Sequence, residues 1–466
     1  MESVAPLDQR PRFVLALIIG VILIPAALGS SATIFNDGDV SWHIATGQWI
    51  LDHRAIPHAD PFSFTWGGRP WVPFEWLSEV VLAGAYRFAG YGGIAALATA
   101  ALMSLHAIVF FNAARLVRPL VAVLGIIAMD AILIPMMLAR PHLIGWVLIA
   151  LWTWLMVRAR QQDRAPPVVA ALLMALWVNL HGSWIMGLLI AAAFGLEALL
   201  VSPDRSRALR QWLLFGIACA AMVFVNANGI QGVVHPLLVA QLQHLPLIDE
   251  WKPSNPTITP AFFIVLAAML VLIWLKRPRL HPVRWALLAA LLALALFQTR
   301  HQPVLAIVAA LLLPQGFAKS APGAATRRSV IWATTAAIAA LVVVRAALPV
   351  TLPENEANPW KMIAAVPPEL RSQPVLNGYS MGGPLILSGI RPFVDGRSDM
   401  YGDEVIVEYK KITDGDRQAL QSAIQRWNIR WAILPLRYDK LIAVLDHSPE
   451  WRRIYVDKVG AIYVRN

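Results

Sequence analysis

The chain has 466 residues, of which 58% are hydrophobic and only 14% charged, with a formal net charge of +11. A soluble globular protein of this size carries more charge and less apolar surface, so a soluble enzyme or a soluble nucleic-acid binder is excluded. One cysteine, Cys219, excludes an internal disulfide framework and a cysteine-built metal site.

The apolar residues come in repeated runs long enough for a helix to cross a bilayer, and they predict about eleven spans. These are 13–30, 92–114, 119–138, 143–159, 166–180, 183–201, 209–226, 259–275, 283–299, 302–317 and 329–348. The first run has a basic flank and "ALGSSA" after it, which resembles a cleavage site, but its length suits a retained helix better than a signal peptide. With the N-terminus in the cytoplasm, Arg10, Arg12, Arg115, Arg118, Arg158, Arg160, Arg164, Arg205, Arg207, Arg210, Lys276, Arg277, Arg279, Arg284, Lys319, Arg327 and Arg328 fall inside. Only Arg54, Arg69, Arg87, Arg140, Lys252 and Arg300 fall outside before the last span. The net basicity is therefore mostly membrane topology, and no nucleic-acid partner is expected. An odd number of spans puts the segment after about residue 350 outside the cytoplasm.

The first outer loop, 31–91, is the longest of the membrane part. It opens with "FNDGDVSWHIATGQW", where Asp37, Asp39, Trp42 and His43 stand close together. Pro, Gly and Asp punctuate its middle and mark turns. From Phe74 to Phe88 the apolar residues recur at helical steps, with Glu75, Trp76, Glu79 and Arg87 among them. That pattern predicts a helix at the membrane surface or tucked against the bundle.

The other polar clusters that interrupt apolar runs fall on the same outer face. "ARPHLIGW" carries Arg140 and His142; "WVNLHGSW" carries Asn179, His181 and Trp184. "VNANGIQGVVHP" carries Asn226, Asn228 and His235, "HLPLIDEWKP" carries His244, Asp249, Glu250, Trp251 and Lys252, and "FQTRHQP" carries Gln298, Arg300, His301 and Gln302. Ionisable groups at helix ends are costly against lipid and usually face a cavity. Each also has a plainer reading: Arg140 and Arg300 as headgroup anchors, the histidines as satisfied helix-end residues, Asp249, Glu250 and Lys252 as a solvated loop, Asp37 as a turn cap. Mid-span charge is sparse, with Asp130 and Glu197 the candidates.

Together these residue types suit transfer of a sugar from a lipid-phosphate donor. A carboxylate near the membrane surface serves as general base on an acceptor hydroxyl. Arginine and histidine hold the phosphate leaving group, and tryptophan packs on a sugar ring or lipid chain. A single displacement with one base inverts the anomeric centre.

The tail, 351–466, has a different character. "QPVLNGYSMGGPLILSG" reads as strand, glycine turn and helix, and "RPFVDGRSD" as strand then turn. "DRQALQSAIQRWNI" is an amphipathic helix, "RWAILPL" a buried strand, and "RRIYVD" with "GAIYVRN" a hairpin. Asp395, Arg397, Asp399 and Tyr401 lie past the second of these strands, as a site or as a turn held by an Asp–Arg pair.

With "DGDVSWHIATGQWIL", "IPHADPFSFTWGGRPWVPFEWL", "LARPHL", "WVNLHGSW", "IDEWKP", "TRHQP" and "FVDGRSDMYGD" on the page, the chain resembles the GT-C superfamily of integral-membrane glycosyltransferases, in particular a bacterial group of them. The resemblance implies a polytopic α-helical membrane module over 1–350 and a soluble extracytoplasmic α/β domain over 351–466. It implies a polyprenyl-phosphate-linked sugar as donor partner and an acceptor of unspecified class. In this reading the chain lies in a bacterial inner membrane with its C-terminal domain in the periplasm. The first-loop base is carried to Asp39, with Asp37 second and His43 beside them. Arg140, His142, His181, Arg300 and His301 are assigned to the donor phosphate and lipid. Trp42, Glu75, Trp76, Asn179, Asn228, Glu250 and Trp251 are assigned to acceptor or sugar. No cofactor is required by the sequence, and a divalent metal is compatible with it. A transporter or lipid flippase, an oligosaccharide polymerase or ligase, and a non-catalytic assembly subunit are the competing classes.

Overall fold

The structure, a computed structural model, describes residues 9–239, 241–242, 248–317 and 328–466; His244 lies outside the described residues. Each of the eleven expected spans carries a helix. Among the described residues, six helices are long and apolar enough to cross a membrane: Pro11–Ser30, Trp76–Ala113, Pro119–Met136, His142–Gln161, Trp184–Val201 and Arg328–Ala347. The chain is a multi-pass integral membrane protein.

Local chemistry explains the irregular helices. The first span is α-helical to Leu17, widens to a π-turn over Ile18–Leu23 and resumes at Ile24. Pro25 follows at once and has no N–H to give the preceding turn, so the ladder re-registers there. The helix Trp76–Ala113 is two helices joined at a kink, where Ala89 leaves helical geometry and Gly90 has φ +56°. The expected 74–88 helix is thus present and runs into the second span through a left-handed residue that favours glycine.

One element of the first loop departs from the punctuation reading. Asp39–His53 is a regular helix. Val40, Ser41, Trp42, His43, Ile44, Ala45, Thr46 and Gly47 are all buried on it, so it has no polar stripe to betray its period. It lies directly on the 76–88 helix: a methyl on Gly47 would sit 1.9 Å from the Glu79 carbonyl oxygen.

The tail forms a four-stranded mixed sheet in the order β1-β2-β4-β3, with β1 Val375–Asn377, β2 Trp431–Pro435, β3 Trp451–Val456 and β4 Gly460–Arg465. β1 pairs parallel to β2; the 451–465 hairpin completes the sheet antiparallel. The expected strand in "RPFVDGRSD" is absent. The Phe393 N–H donates to Asn377 Oδ1 (2.8 Å) and Asn377 Nδ2 donates to the Val394 carbonyl (2.8 Å), so a side chain replaces the ladder there. Ser398–Thr413 and Asp439–Asp446 are additional helices.

This region is bonded to the first loop at many points. Asn358 Nδ2 donates to the Phe35 carbonyl (2.7 Å), Thr65 Oγ1 to the Phe393 carbonyl (2.6 Å), and Arg391 to the Ser63 carbonyl (2.7 Å). Arg397, only 1% exposed, joins Asp395 and Asp60 at 2.7 Å each and lies over the Phe62 and Trp71 rings. Tyr401 donates to Asp395. Of the two readings of Asp395 and Arg397, the held turn is the one observed, and its partner is the first loop.

Candidate active site

Asp37 and Asp39 meet Arg140 because three backbone turns converge. Asp37 Oδ1 accepts the Asp39 N–H (2.9 Å) and starts the Asp39–His53 helix. Just before it, the Ile34 carbonyl accepts the Ala139 N–H (2.8 Å), which docks the "LARP" turn beside the loop. Arg140 then reaches both carboxylates: Nη1 is 2.9 Å from Asp37 Oδ2 and Nη2 is 3.0 Å from Asp39 Oδ2. Glu250 stands 3.7 Å from the same guanidinium.

Glu250 and Trp251 are placed by the segment that precedes Arg300. The Thr299 N–H and Oγ1 both donate to the Lys252 carbonyl (3.0 and 2.9 Å), binding the two loops together. The Arg300 guanidinium lies 4.0 Å above the Trp251 ring. Glu75 and His181 form a neighbouring pair, Oε1 to Nε2 at 3.4 Å. His181 Nδ1 accepts the Ser183 N–H (3.1 Å), so its proton sits on Nε2, facing Glu75.

The C-terminal region covers this cluster, and backbone makes the contact. A methyl on Gly396 would lie 1.8 Å from Asp39 Oδ1, one on Gly38 would lie 1.8 Å from the Ser380 carbonyl oxygen, and one on Gly383 would lie 2.1 Å from the Gly38 carbonyl oxygen. Glycine at these places allows two loops, remote in sequence, to touch at the carboxylate. His235 Nε2 bonds Asp399 at 2.8 Å from the other side.

Burial and the adjacent Asp37 push the Asp39 carboxyl up to about 7, against the pull of Arg140. Burial pushes Glu75 up to about 8, so it remains a protonated donor at neutral pH. Burial alone would raise Glu250 as well, but Arg140 and Arg300 hold it below the ordinary carboxylate range. Burial and nearby cations depress His43 and His181 and bring His301 down to about 4, so all three are neutral. The cluster thus joins Asp39, poised near neutrality, a protonated Glu75 and an ionised Glu250 to Asp37 and two arginines.

Several of the other residues singled out in the sequence are held in structural bonds. Trp76 Nε1 donates to Asn179 Oδ1 (2.7 Å), and Asn179 Nδ2 donates to the Ala175 and Val225 carbonyls (2.7 and 2.8 Å). Asn228 Nδ2 donates to the Pro73 carbonyl (3.2 Å), and His142 Nε2 to the Met136 carbonyl (2.8 Å). His43 is stacked on Trp42 at 3.6 Å with Nδ1 3.4 Å from Glu79 Oε1. The sequence reading missed Tyr379, whose hydroxyl is pushed far up by burial and by Asp39, and the glycines that roof the carboxylate. Among the described residues no group of three or more His, Cys, Asp or Glu side chains is arranged to hold a metal ion. The charge of the Asp37–Asp39 pair is met by Arg140.

The two mid-span acids, Asp130 and Glu197, are paired. His106 Nε2 is 3.0 Å from Asp130, and Arg284 bonds both oxygens of Glu197 (2.6 and 2.8 Å).

No family model and no curated protein matches the chain. Solved structures do. The oligosaccharyltransferase of Archaeoglobus fulgidus in its apo form superposes with a TM-score of 0.58 at 12% identity, over 94% of this chain and 71% of that one. The same organism's AglB in complex with an inhibitory peptide and a dolichol-phosphate gives 0.55 at 10% identity, over 99% and 75%. The enzyme tethered to an acceptor peptide with an NVT sequon gives 0.55 at 11%, over 97% and 74%. This chain therefore shares the fold of the archaeal oligosaccharyltransferase, a membrane-spanning helical bundle with a mixed-sheet region at its C-terminal end.

Proposed function

We propose that the chain is a glycosyltransferase that moves a sugar from a polyprenyl-phosphate donor to an acceptor hydroxyl, with inversion, at the membrane face carrying Asp39. The observation that carries this reading is the Asp39 carboxylate, partly buried at a helix start, bound to Arg140 and roofed by Gly396. The fold it shares with AglB, described in complex with a dolichol-phosphate, supports the donor class.

Asp39 takes the acceptor's hydroxyl proton as the oxygen attacks the anomeric carbon. The bond from that carbon to the phosphate oxygen breaks, and the phosphate leaves with the electron pair. Arg300, braced on Trp251, and neutral His181 meet that charge. Arg140 fixes the base through both Asp37 and Asp39. The orientation that follows is the one expected from the basic residues, with the 351–466 domain on the extracytoplasmic side above the site.

A flippase or transporter is less favoured, because Asp130 and Glu197 are already paired within the bundle. The test is release of polyprenyl phosphate from labelled polyprenyl-phosphate sugars, comparing wild type with Asp39→Asn in membranes. Turnover lost in a folded variant supports the transferase. Equal turnover in both removes Asp39 as base. Lipid or solute movement in vesicles without sugar transfer moves the chain to the transporter class.

A further inference from the structure

The helices that carry the carboxylate cluster carry a second polar site at their other ends. His142–Gln161 begins beside Arg140 and ends at Arg160; its 20 residues span about 30 Å. Trp184–Val201 begins beside His181 and ends next to Ser202. Between these far ends and the start of the Arg205–Val223 helix lies a cavity of about 230 Å³, lined among others by Arg160, Arg164, Ser202, Arg207, Gln211 and Trp212.

The cavity has the features of an anion site. The Arg160 side chain is only 6% exposed, and its Nε has no hydrogen-bond partner, although a Glu197 oxygen lies 3.5 Å away. Among the described residues the Arg207 guanidinium is bonded to no other side chain, and Arg164 reaches only Gln162. The two acids in the lining are engaged: Asp163 accepts from Arg160 (3.0 Å), and Asp204 caps the Arg205–Val223 helix through the Arg207 N–H (2.9 Å). The first turn of that helix turns its partial positive charge toward the cavity.

We propose that this cavity binds a phosphate group, with the guanidinium groups of Arg160, Arg164 and Arg207 on its oxygens. A basic pocket between helix ends suits a phosphate, whether a lipid headgroup or a soluble anion supplies it. The site is separate from the sugar-transfer reading and does not depend on it.

The test uses the full chain in phosphatidylcholine nanodiscs, titrated with phosphatidylglycerol, with thermal midpoint and retained lipid in native mass spectra as readouts. Wild type is expected to retain phosphatidylglycerol and gain stability. The Arg164→Gln, Arg207→Gln double variant is expected to bind at least about tenfold more weakly. Ala208→Met, which fills the cavity without changing charge, is expected to do the same and guards against a folding defect in the first variant. Equal retention by wild type and both variants overturns the proposal. A shift from phosphatidylglycerol that inorganic phosphate does not reproduce assigns the phosphate to a lipid headgroup, and an equal shift from inorganic phosphate alone assigns it to a soluble anion.

Discussion

Gly396→Ala is the most direct probe of the roof over Asp39. Gly396 does not have a left-handed φ, so alanine is admissible for the backbone, and the effect is steric. The new methyl would stand 1.8 Å from Asp39 Oδ1, 2.4 Å from Cγ and 2.8 Å from Oδ2. Ordinary contact lies near 3.5 Å, so the carboxylate and the 394–398 turn must separate by on the order of 1.5 Å. Such overpacking costs about 1–3 kcal/mol, and a misplacement of about 1 Å at a reacting group lowers turnover about 100-fold. The assay is polyprenyl-phosphate release at saturating donor, read with the thermal midpoint. Gly84→Ala is the comparator, since a methyl there meets nothing within 4 Å; it is expected to keep full activity. Wild-type turnover and an unshifted midpoint in Gly396→Ala would refute the seating of the C-terminal region on Asp39.

Arg140→Gln removes the cation between Asp37, Asp39 and Glu250; turnover is expected to fall and its acid limb to move to higher pH, as the pull that lowers Asp39 is lost. In wild type, activity is expected to rise with pH through about 7, because Asp39 accepts a proton only when ionised; a flat profile from pH 5 to 9 would remove it as base. Stability should move the other way. Asp39 and Glu75 hold protons in the folded state that the unfolded chain has released, so the thermal midpoint is expected to fall as pH rises from about 4 toward about 8. Arg397→Ala leaves Asp60 and Asp395 buried without their cation and is expected to cost about 3–5 kcal/mol, read as a lowered midpoint and easier proteolysis between the first loop and residue 395.

The bundle was legible because apolar run length is a property of each segment alone. The eleven runs became helices, and the strands around Val375, Trp431, Trp451 and Gly460 followed from period and turn residues. Asp37, Asp39, Arg140, Glu250 and Arg300 were legible as a set because charge interrupting apolar runs on one face is improbable without a cavity. Two kinds of information were not local. Residues 40–47 of the Asp39–His53 helix are buried all round, so this stretch has no polar face to give the period. The roof is built from Gly38, Gly383 and Gly396, whose role is to lack a side chain; only the partner loop reveals why. His142, Asn179 and Asn228 carried the right chemistry for a site but are occupied by backbone carbonyls. No residue type announces which partner it will meet.

The bolting of the first loop to the C-terminal region has a consequence for how the protein matures. Thr65 bonds a carbonyl 328 positions later and Arg397 an aspartate 337 positions earlier. A segment that leaves the ribosome early must wait for almost the entire chain before its buried partners exist. Long-range pairing of this kind is slow and comes last. The carboxylate cluster therefore cannot be finished while the bundle is still being inserted, and a truncated or stalled chain carries the ingredients of the site without its lid. Emergence of the segment around residues 393–397 is therefore the step at which the first loop gains its buried partners.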